Sequence, residues 1–289
     1  MALVSVVMPS LNQVRFIRTA IDSVLGQDYP NIELIVADGG SDDGTLESLK
    51  ARQAVDARLR WSSQADSGPA AAVNGALAQV RGTVVGWLNS DDVYAPGAVR
   101  RAVEALEANP DWLMVYGHGQ HVNGEGKVLD EYQTLPPSTP VAKFAEGCFI
   151  CQPTVFFRRS AWVLLGKLDE GLKTAFDFDY WLRAFHAFPQ RIGFVDALQA
   201  QSRLHEGSIT LRLRRAVILE GMQVLARHLG SAPKEWFLTY VNELLALPPG
   251  ERGVGDLNEH VADTLAVARQ WMKPEDLPEL NANLEGLLK

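Results

Sequence analysis

An alternation of short apolar runs with segments of helical periodicity, from Leu3 to Leu88, constrains this chain more than any other feature. Leu3–Met8 is apolar and β-branched, as expected of a strand buried on both faces. Phe16, Ile17, Ala20, Ile21, Val24 and Leu25 then recur at helical spacing, which predicts a helix over Gln13–Leu25. The signals repeat: a strand at Ile32–Ala37, a helix from Thr45 to Arg52, a strand at Leu59–Ser62, a helix at Ala70–Val80 and a strand at Thr83–Leu88. Such alternation predicts a mainly parallel sheet with helices on both faces. Ligands of such sheets bind beyond the carboxyl ends of the strands.

The rhythm then changes. Pro96–Asn109 reads as a helix opened by proline. Trp112–Tyr116 and the stretch around Asn123-Gly124 read as strands joined by a hairpin. Leu135–Pro140 is a loop, Thr154–Phe157 a strand, Ser160–Leu165 and Asp177–Phe188 helices, and Arg191–Val195 and Leu198–Arg203 two final strands. Three helical segments follow, Leu211–Leu229, Lys234–Leu247 and Leu257–Met272, broken at Leu247-Pro248-Pro249-Gly250. The expected division is an α/β domain over 1–210 and a helical appendage over 211–289, within the reach of a 289-residue chain. Covering the core is the expected role of the appendage.

A formal net charge of -8 argues against nucleic acid as the main partner. No segment approaches the length of a membrane-spanning helix, and Met1–Met8 is too short for a signal peptide. A cytoplasmic protein is expected, with peripheral contact at the inner face of the membrane left open. Cys148 and Cys151 form a Cys-x-x-Cys pair, but a strand pattern follows them and no further zinc ligands stand at suitable spacing. They are expected to be ordinary thiols.

The chemistry concentrates at Trp87-Leu88-Asn89-Ser90-Asp91-Asp92-Val93-Tyr94. Two adjacent carboxylates at the end of a buried strand are expensive unless paired or bound to a cation. A hard divalent metal resolves that cost and can be shared with phosphates. Asp91 and Asp92 are therefore expected at a metal and diphosphate corner, the alternative being a helix cap before Pro96.

Several motifs, in order, resemble family 2 glycosyltransferases of the GT-A fold. They are Val4-Ser5-Val6-Val7-Met8-Pro9-Ser10-Leu11-Asn12, Leu25-Gly26-Gln27-Asp28-Tyr29-Pro30, the stretch Glu33–Thr45, Asp66-Ser67-Gly68 through Asn74-Gly75, and Trp87–Asp92. Gln152-Pro153-Thr154, Asp177–Arg183 and Arg203–Ser208 continue the pattern to about Thr210. The resemblance implies a nucleotide-binding half over 1–110 and an acceptor half over 111–210. It assigns Asp38 to the nucleoside, where a turn role is the alternative. Pro9, Ser10 and Asn12 become the wall beside the base, and Asp66 and Asn74 become further nucleotide contacts. Gln152 falls near the acceptor or donor sugar. The family's metal motif is usually Asp-x-Asp, and Asn89 replaces its first member here, so Asn89 brings hydrogen bonds to ribose or phosphate without charge. His205 is implied as a further metal contact. Arg203 would neutralise the diphosphate or fix a carboxylate. Asp177, at a predicted helix start whose macrodipole favours the ionised form, is the implied catalytic base.

The expected function is an inverting, metal-dependent transfer from a nucleotide-diphosphate sugar, UDP-sugar first among them, to a glycan or glycolipid acceptor in surface polysaccharide synthesis. Mn²⁺ or Mg²⁺ is the expected cofactor, and His205 suits Mn²⁺ better. A non-catalytic nucleotide-sugar-binding or scaffold subunit and a sugar-phosphate nucleotidyltransferase are the rivals. The nucleotidyltransferase lacks support, because Pro9-Ser10-Leu11-Asn12-Gln13 is not a Gly-rich basic loop. An oligomer is left open.

Overall fold

The structure, a computed structural model, describes residues 1–288. In chain order the regular elements are β1 (Val4–Ser10), α1 (Ile17–Leu25), β2 (Ile32–Asp38), α2 (Thr45–Gln53), β3 (Leu59–Ser63), α3 (Pro69–Leu77), β4 (Val84–Trp87), β5 (Val93–Tyr94), α4 (Ala98–Ala108), β6 (Met114–Val122) and β7 (Val128–Glu131). They continue with β8 (Phe156–Arg158), α5 (Arg159–Leu165), α6 (Phe176–Ala187), β9 (Ile192–Arg203), α7 (Ile209–Arg212), α8 (Arg214–Leu229), α9 (Lys234–Ala246), α10 (Leu257–Ala268) and α11 (Leu277–Leu287).

One mixed sheet runs β3-β2-β1-β4-β8-β6-β9-β5, with β7 paired to β6. The first four strands in that order are parallel. β8 is antiparallel to both of its neighbours. β1 is buried along its whole length, as its unbroken apolar pattern requires. The strand order turns back between β2-β1 and β4, which creates a switch point above the carboxyl ends of β1 and β4. Ile17, Ala20, Ile21, Val24 and Leu25 of α1 and Val99, Ala102, Val103 and Leu106 of α4 close the core against this sheet.

The chain divides into two compact units. The first holds Met1–Pro140 and Phe149–His205, and the second holds Val141–Cys148 with the residues from Glu206 onward. In the second unit α8, α9 and α10 pack on one another. The Trp236 Nε1–H donates to the Ala145 carbonyl at 2.7 Å, which ties the 141–148 strip to α9. Asp256 caps α10 by accepting the Glu259 N–H at 2.8 Å.

Four details depart from the expected elements. Arg191–Val195 and Leu198–Arg203 are one strand, β9, because Asp196 and Ala197 are absorbed where its register with β6 shifts beside His118. Val93-Tyr94 forms a strand that pairs antiparallel with β9. Thr154 lies in a 3₁₀ turn, so β8 starts at Phe156. The helix α11 follows the last segment expected from periodicity. Cys151 is buried and Cys148 half-buried.

Candidate active site

The carboxyl end of β4 runs into Leu88–Asp92, beside β1 at the switch point. Asn89 ties this turn together. Its Oδ1 accepts the Trp87 Nε1–H at 3.2 Å, and its amide donates to Gln152 Oε1 at 3.0 Å and to Asp92 Oδ2 at 3.2 Å. The Gln152 amide donates back to the Trp87 carbonyl at 2.9 Å. Asn89 and Gln152, both expected to meet ligand, are thus occupied in clamping the motif. Gly86 permits the close packing underneath: a Cβ there would lie 2.4 Å from the Tyr94 hydroxyl and 2.9 Å from the Phe156 ring.

The two neighbouring aspartates face different surroundings. Asp92 is buried, 3% exposed. Its Oδ1 accepts the Arg203 backbone N–H at 2.8 Å, its Oδ2 accepts from Asn89, and the Ser202 side chain adds a bond. Burial, and after it the Asp91 charge, push its pKa well above the ordinary carboxylate value. Asp91 instead reaches His205: its Oδ2 lies 3.1 Å from the His205 Nε2, across 114 positions of chain. Their side chains keep 16% and 10% exposure. The geometry therefore separates the part-exposed Asp91, which meets His205, from the buried Asp92, which braces the turn.

Arg203 is 7% exposed. Its guanidinium donates to the carbonyls of Asp91 (2.8 Å), Asn123 (3.0 Å) and Gly124 (3.3 Å). It also lies 5.0 Å from the Phe16 ring centroid, and that ring is 4.6 Å from the His205 ring. Arg203 is turned inward and holds the backbone that presents Asp91. Phe16, read in the sequence only as a core position of the first helix, is the wall behind His205. No sequence signal separated it from the other apolar positions of that stripe.

Asp177 sits in the first turn of α6, partly buried, and accepts the Phe178 N–H at 2.7 Å. Burial raises its pKa to about 6, against the lowering effect of the backbone N–H groups of Phe178 and Asp177 itself. The expected dominance of the helix macrodipole is thus reversed by desolvation. Phe176, one residue earlier, stacks on Trp87 at 5.6 Å and 20°. A single indole therefore links the Asn89 turn to the helix that carries Asp177. Asp179 is buried and pairs with Arg183 at 2.9 Å, a structural role. Trp181 is fully buried beside Trp87.

At the carboxyl end of β1, Pro9 is buried and the Ser10 hydroxyl is buried without a hydrogen-bond partner. Ser10 pairs in register with Asp38 of β2. Asp38 is engaged by the chain's own donors. Its carboxylate accepts from the Gly40 N–H (3.0 Å), the Ser41 N–H (2.9 Å), the Ser41 hydroxyl (2.5 Å) and the Ser63 hydroxyl (2.7 Å), and the residue is 2% exposed. The turn role is the one the structure displays. Asn12 adopts a left-handed φ of 54°, a conformation asparagine tolerates. It joins two loops, donating its N–H to Ser41 Oγ and accepting the Asp42 N–H.

Asn74, implied as a nucleotide contact, bonds to a remote stretch of the chain. It is 4% exposed, donates to the Leu168 carbonyl (3.0 Å) and Glu170 Oε1 (2.8 Å), and accepts the Leu168 N–H (2.9 Å). It pins the segment before α6. Asp66 stays exposed. Its Oδ1 accepts the Gly68 N–H at 2.9 Å, and its Oδ2 lies 3.3 Å from the position of a Gly39 Cβ, with Leu11 Cδ1 at 3.5 Å from the same point. Asp66 and Leu11 thus converge above Gly39.

Among the described residues no group of three or more His, Cys, Asp or Glu side chains is placed to hold a metal ion. The donor set is the Asp91–His205 pair. One carboxylate and one imidazole fit a divalent cation of the Mn²⁺ type whose other ligands are phosphate oxygens or water.

The sequence profile described as Glycosyl transferase family 2 matches residues 5–164. The chain belongs to glycosyl transferase family 2. An uncharacterized glycosyltransferase of Rickettsia felis is 28% identical over 217 residues, covering 70% of this chain and 34% of that protein. A chondroitin synthase of Escherichia coli is 28% identical over 187 residues, covering 65% of this chain and 27% of its own. The chain thus spans about a third of the length of these curated relatives. S. aureus TarS 1-349 in complex with UDP-GlcNAc superposes with a TM-score of 0.60 at 20% identity, covering 99% of this chain and 80% of that one. Mannosyltransferase PcManGT from Pyrobaculum calidifontis, in complex with GDP-Man and Mn2+, gives a TM-score of 0.60 at 20% identity over 100% and 81%. This family 2 chain therefore has the GT-A fold with added C-terminal helices. No described helix is long and apolar enough to cross a membrane.

Proposed function

We propose that this chain transfers a sugar from a nucleoside-diphosphate donor to a hydroxyl of a glycan or glycolipid acceptor, with inversion, and that it serves surface-polysaccharide synthesis at the cytoplasmic side of the membrane. The Asp91–His205 contact carries the reading. A carboxylate and an imidazole 114 residues apart meet at 3.1 Å at the strand ends, where ligands of open α/β sheets bind. Relatives in sequence include a chondroitin synthase, and structures of the same fold hold UDP-GlcNAc, or GDP-Man with Mn2+.

In this mechanism the nucleoside lies against Pro9, the Ser10 hydroxyl and the Leu11–Asp66 convergence. A buried hydroxyl without a partner costs free energy until something bonds to it, which supports a ligand at Ser10. Asp91 and His205 would hold a divalent cation, which would supply Lewis-acid neutralisation of the departing diphosphate. Asp177 accepts the acceptor's hydroxyl proton as that oxygen attacks the anomeric carbon. A pKa of about 6 leaves it ionised at neutral pH yet nearer the operating pH than an ordinary aspartate, which favours general-base work. With one base and no carboxylate assigned as nucleophile, direct displacement inverts the anomeric centre, by the logic of inverting glycosidases. Asp92, Arg203, Asn89 and Gln152 hold these groups in position.

Titration calorimetry with UDP, with and without Mn²⁺, tests the central feature. Binding that strengthens with the metal is expected. Equal affinity in both titrations would remove the Asp91–His205 cation site and the mechanism built on it.

A further inference from the structure

The short helix α5 carries a feature that sugar transfer does not use. Its Val163 and Leu164 are 75% and 64% exposed, on consecutive positions of one turn. Leu164 also lines a shallow depression with Phe188, Pro189 and Arg191. Two large aliphatic side chains side by side in water forgo burial that a partner could provide.

The local sequence carries one sign of charge. From Arg158 to Lys167 there are three basic residues and no carboxylate, in a chain of formal net charge -8. The Arg158 guanidinium turns inward to the Trp112 and Leu106 carbonyls. Arg159 and Lys167 stay exposed on either side of the apolar pair, and Arg191 is exposed at the depression. The next carboxylates along the chain are engaged locally: Asp169 accepts the Gly171 N–H, and Glu170 accepts from Asn74. Asp111 meets Arg191 through its backbone carbonyl.

We propose that this face of α5 seats on an anionic lipid surface. Val163 and Leu164 enter the boundary between headgroups and acyl chains, and Arg159, Lys167 and Arg191 meet lipid phosphates. Charge selects that occupant, because a symmetric contact between two copies would press the same three cations against their own images. Apolar insertion flanked by basic side chains gives reversible interfacial binding. One helical turn provides little area, so the binding is weak, salt-sensitive and specific for anionic lipid. It stands apart from the sugar-transfer reading, since it uses none of the same residues.

Vesicle flotation of the full chain tests it, with phosphatidylglycerol–phosphatidylcholine vesicles against pure phosphatidylcholine, at low and high salt. Flotation with the anionic vesicles only, reversed by salt, is expected. The double variant Val163→Glu/Leu164→Glu and the double variant Arg159→Glu/Lys167→Glu should each lower the bound fraction roughly tenfold or more, with unchanged circular dichroism. The charge variant decides the matter should the apolar variant fail to fold. Absence of wild-type flotation at low salt, or folded variants that float like the wild type, overturns the proposal. So does self-association of the wild type that the apolar variant abolishes while vesicle binding is nil, which would give the face to a second copy.

Discussion

Asp177→Asn should stabilise the protein while disabling it. Burial raises the Asp177 pKa from 3.8 to about 6, so holding its charge in the folded state costs about 3 kcal/mol. Residual exposure reduces this, and about 1–3 kcal/mol is expected. Asparagine keeps the Oδ1 that accepts the Phe178 N–H and removes the charge. The sign follows from linkage. A carboxyl whose folded pKa is raised favours folding fully below its unfolded pKa, near 3.8, and loses that contribution as pH rises through about 6. The variant should therefore melt above the wild type at pH 8, by roughly 2–4 °C for each kcal/mol. The two curves should converge near pH 4. Transfer activity should fall by roughly 10²–10⁴, and wild-type turnover should decline tenfold per unit below about pH 6. Tryptophan emission during heating at both pH values, with a coupled assay for released nucleoside diphosphate, reads all of this. A variant that melts at or below the wild type at pH 8, or that turns over normally, refutes the reasoning.

Other substitutions separate ligands from braces. His205→Ala should weaken the Mn²⁺-dependent part of UDP binding by roughly tenfold or more and leave metal-free binding alone, as calorimetry would show. Asn74→Ala removes three hydrogen bonds to the Leu168–Glu170 segment; it should cost about 2–3 kcal/mol in denaturant melts and leave donor affinity within about twofold. Asn89→Asp removes the amide donor to Asp92 and Gln152 and should lower stability by about 2–4 kcal/mol at pH 8, seen as an earlier melting transition.

Much of the fold was legible because apolar periodicity reports burial directly. β1, β2 and β4 are buried almost throughout, and the helices between them carry their stripes at helical spacing. Elements defined by pairing rather than by pattern were not legible. Val93-Tyr94 is too short to show a period, and it is a strand only because β9 lies beside it. Asp196-Ala197 looked like a break because a polar residue interrupted the run, yet a register shift absorbs it within β9. At the candidate site, motif order singled out the turn where Asp91 meets His205 but not the direction of each side chain. Asp38, Asn74, Asn89, Gln152 and Arg203 are polar at strand or loop ends, and a polar residue there can bond to a ligand or to the chain. Only the positions of Ser63, Leu168, Trp87 and Asn123, remote in sequence, decide between the two.

The replacement of the first acidic position by Asn89 follows from the same distinction. Asp92 is sealed from solvent and needs donors for both oxygens; Arg203 supplies one N–H and the Asn89 amide another. A carboxylate at position 89 would instead face Asp92 at about the same separation, 3.2 Å, and two such groups cannot both ionise in a buried turn. An amide there allows the negative charge to be concentrated at Asp91, the aspartate of the pair that meets His205. Asn89 is then the amide that the buried Asp92 requires, and the charge that the proposed cation site would use lies two residues farther along, at Asp91.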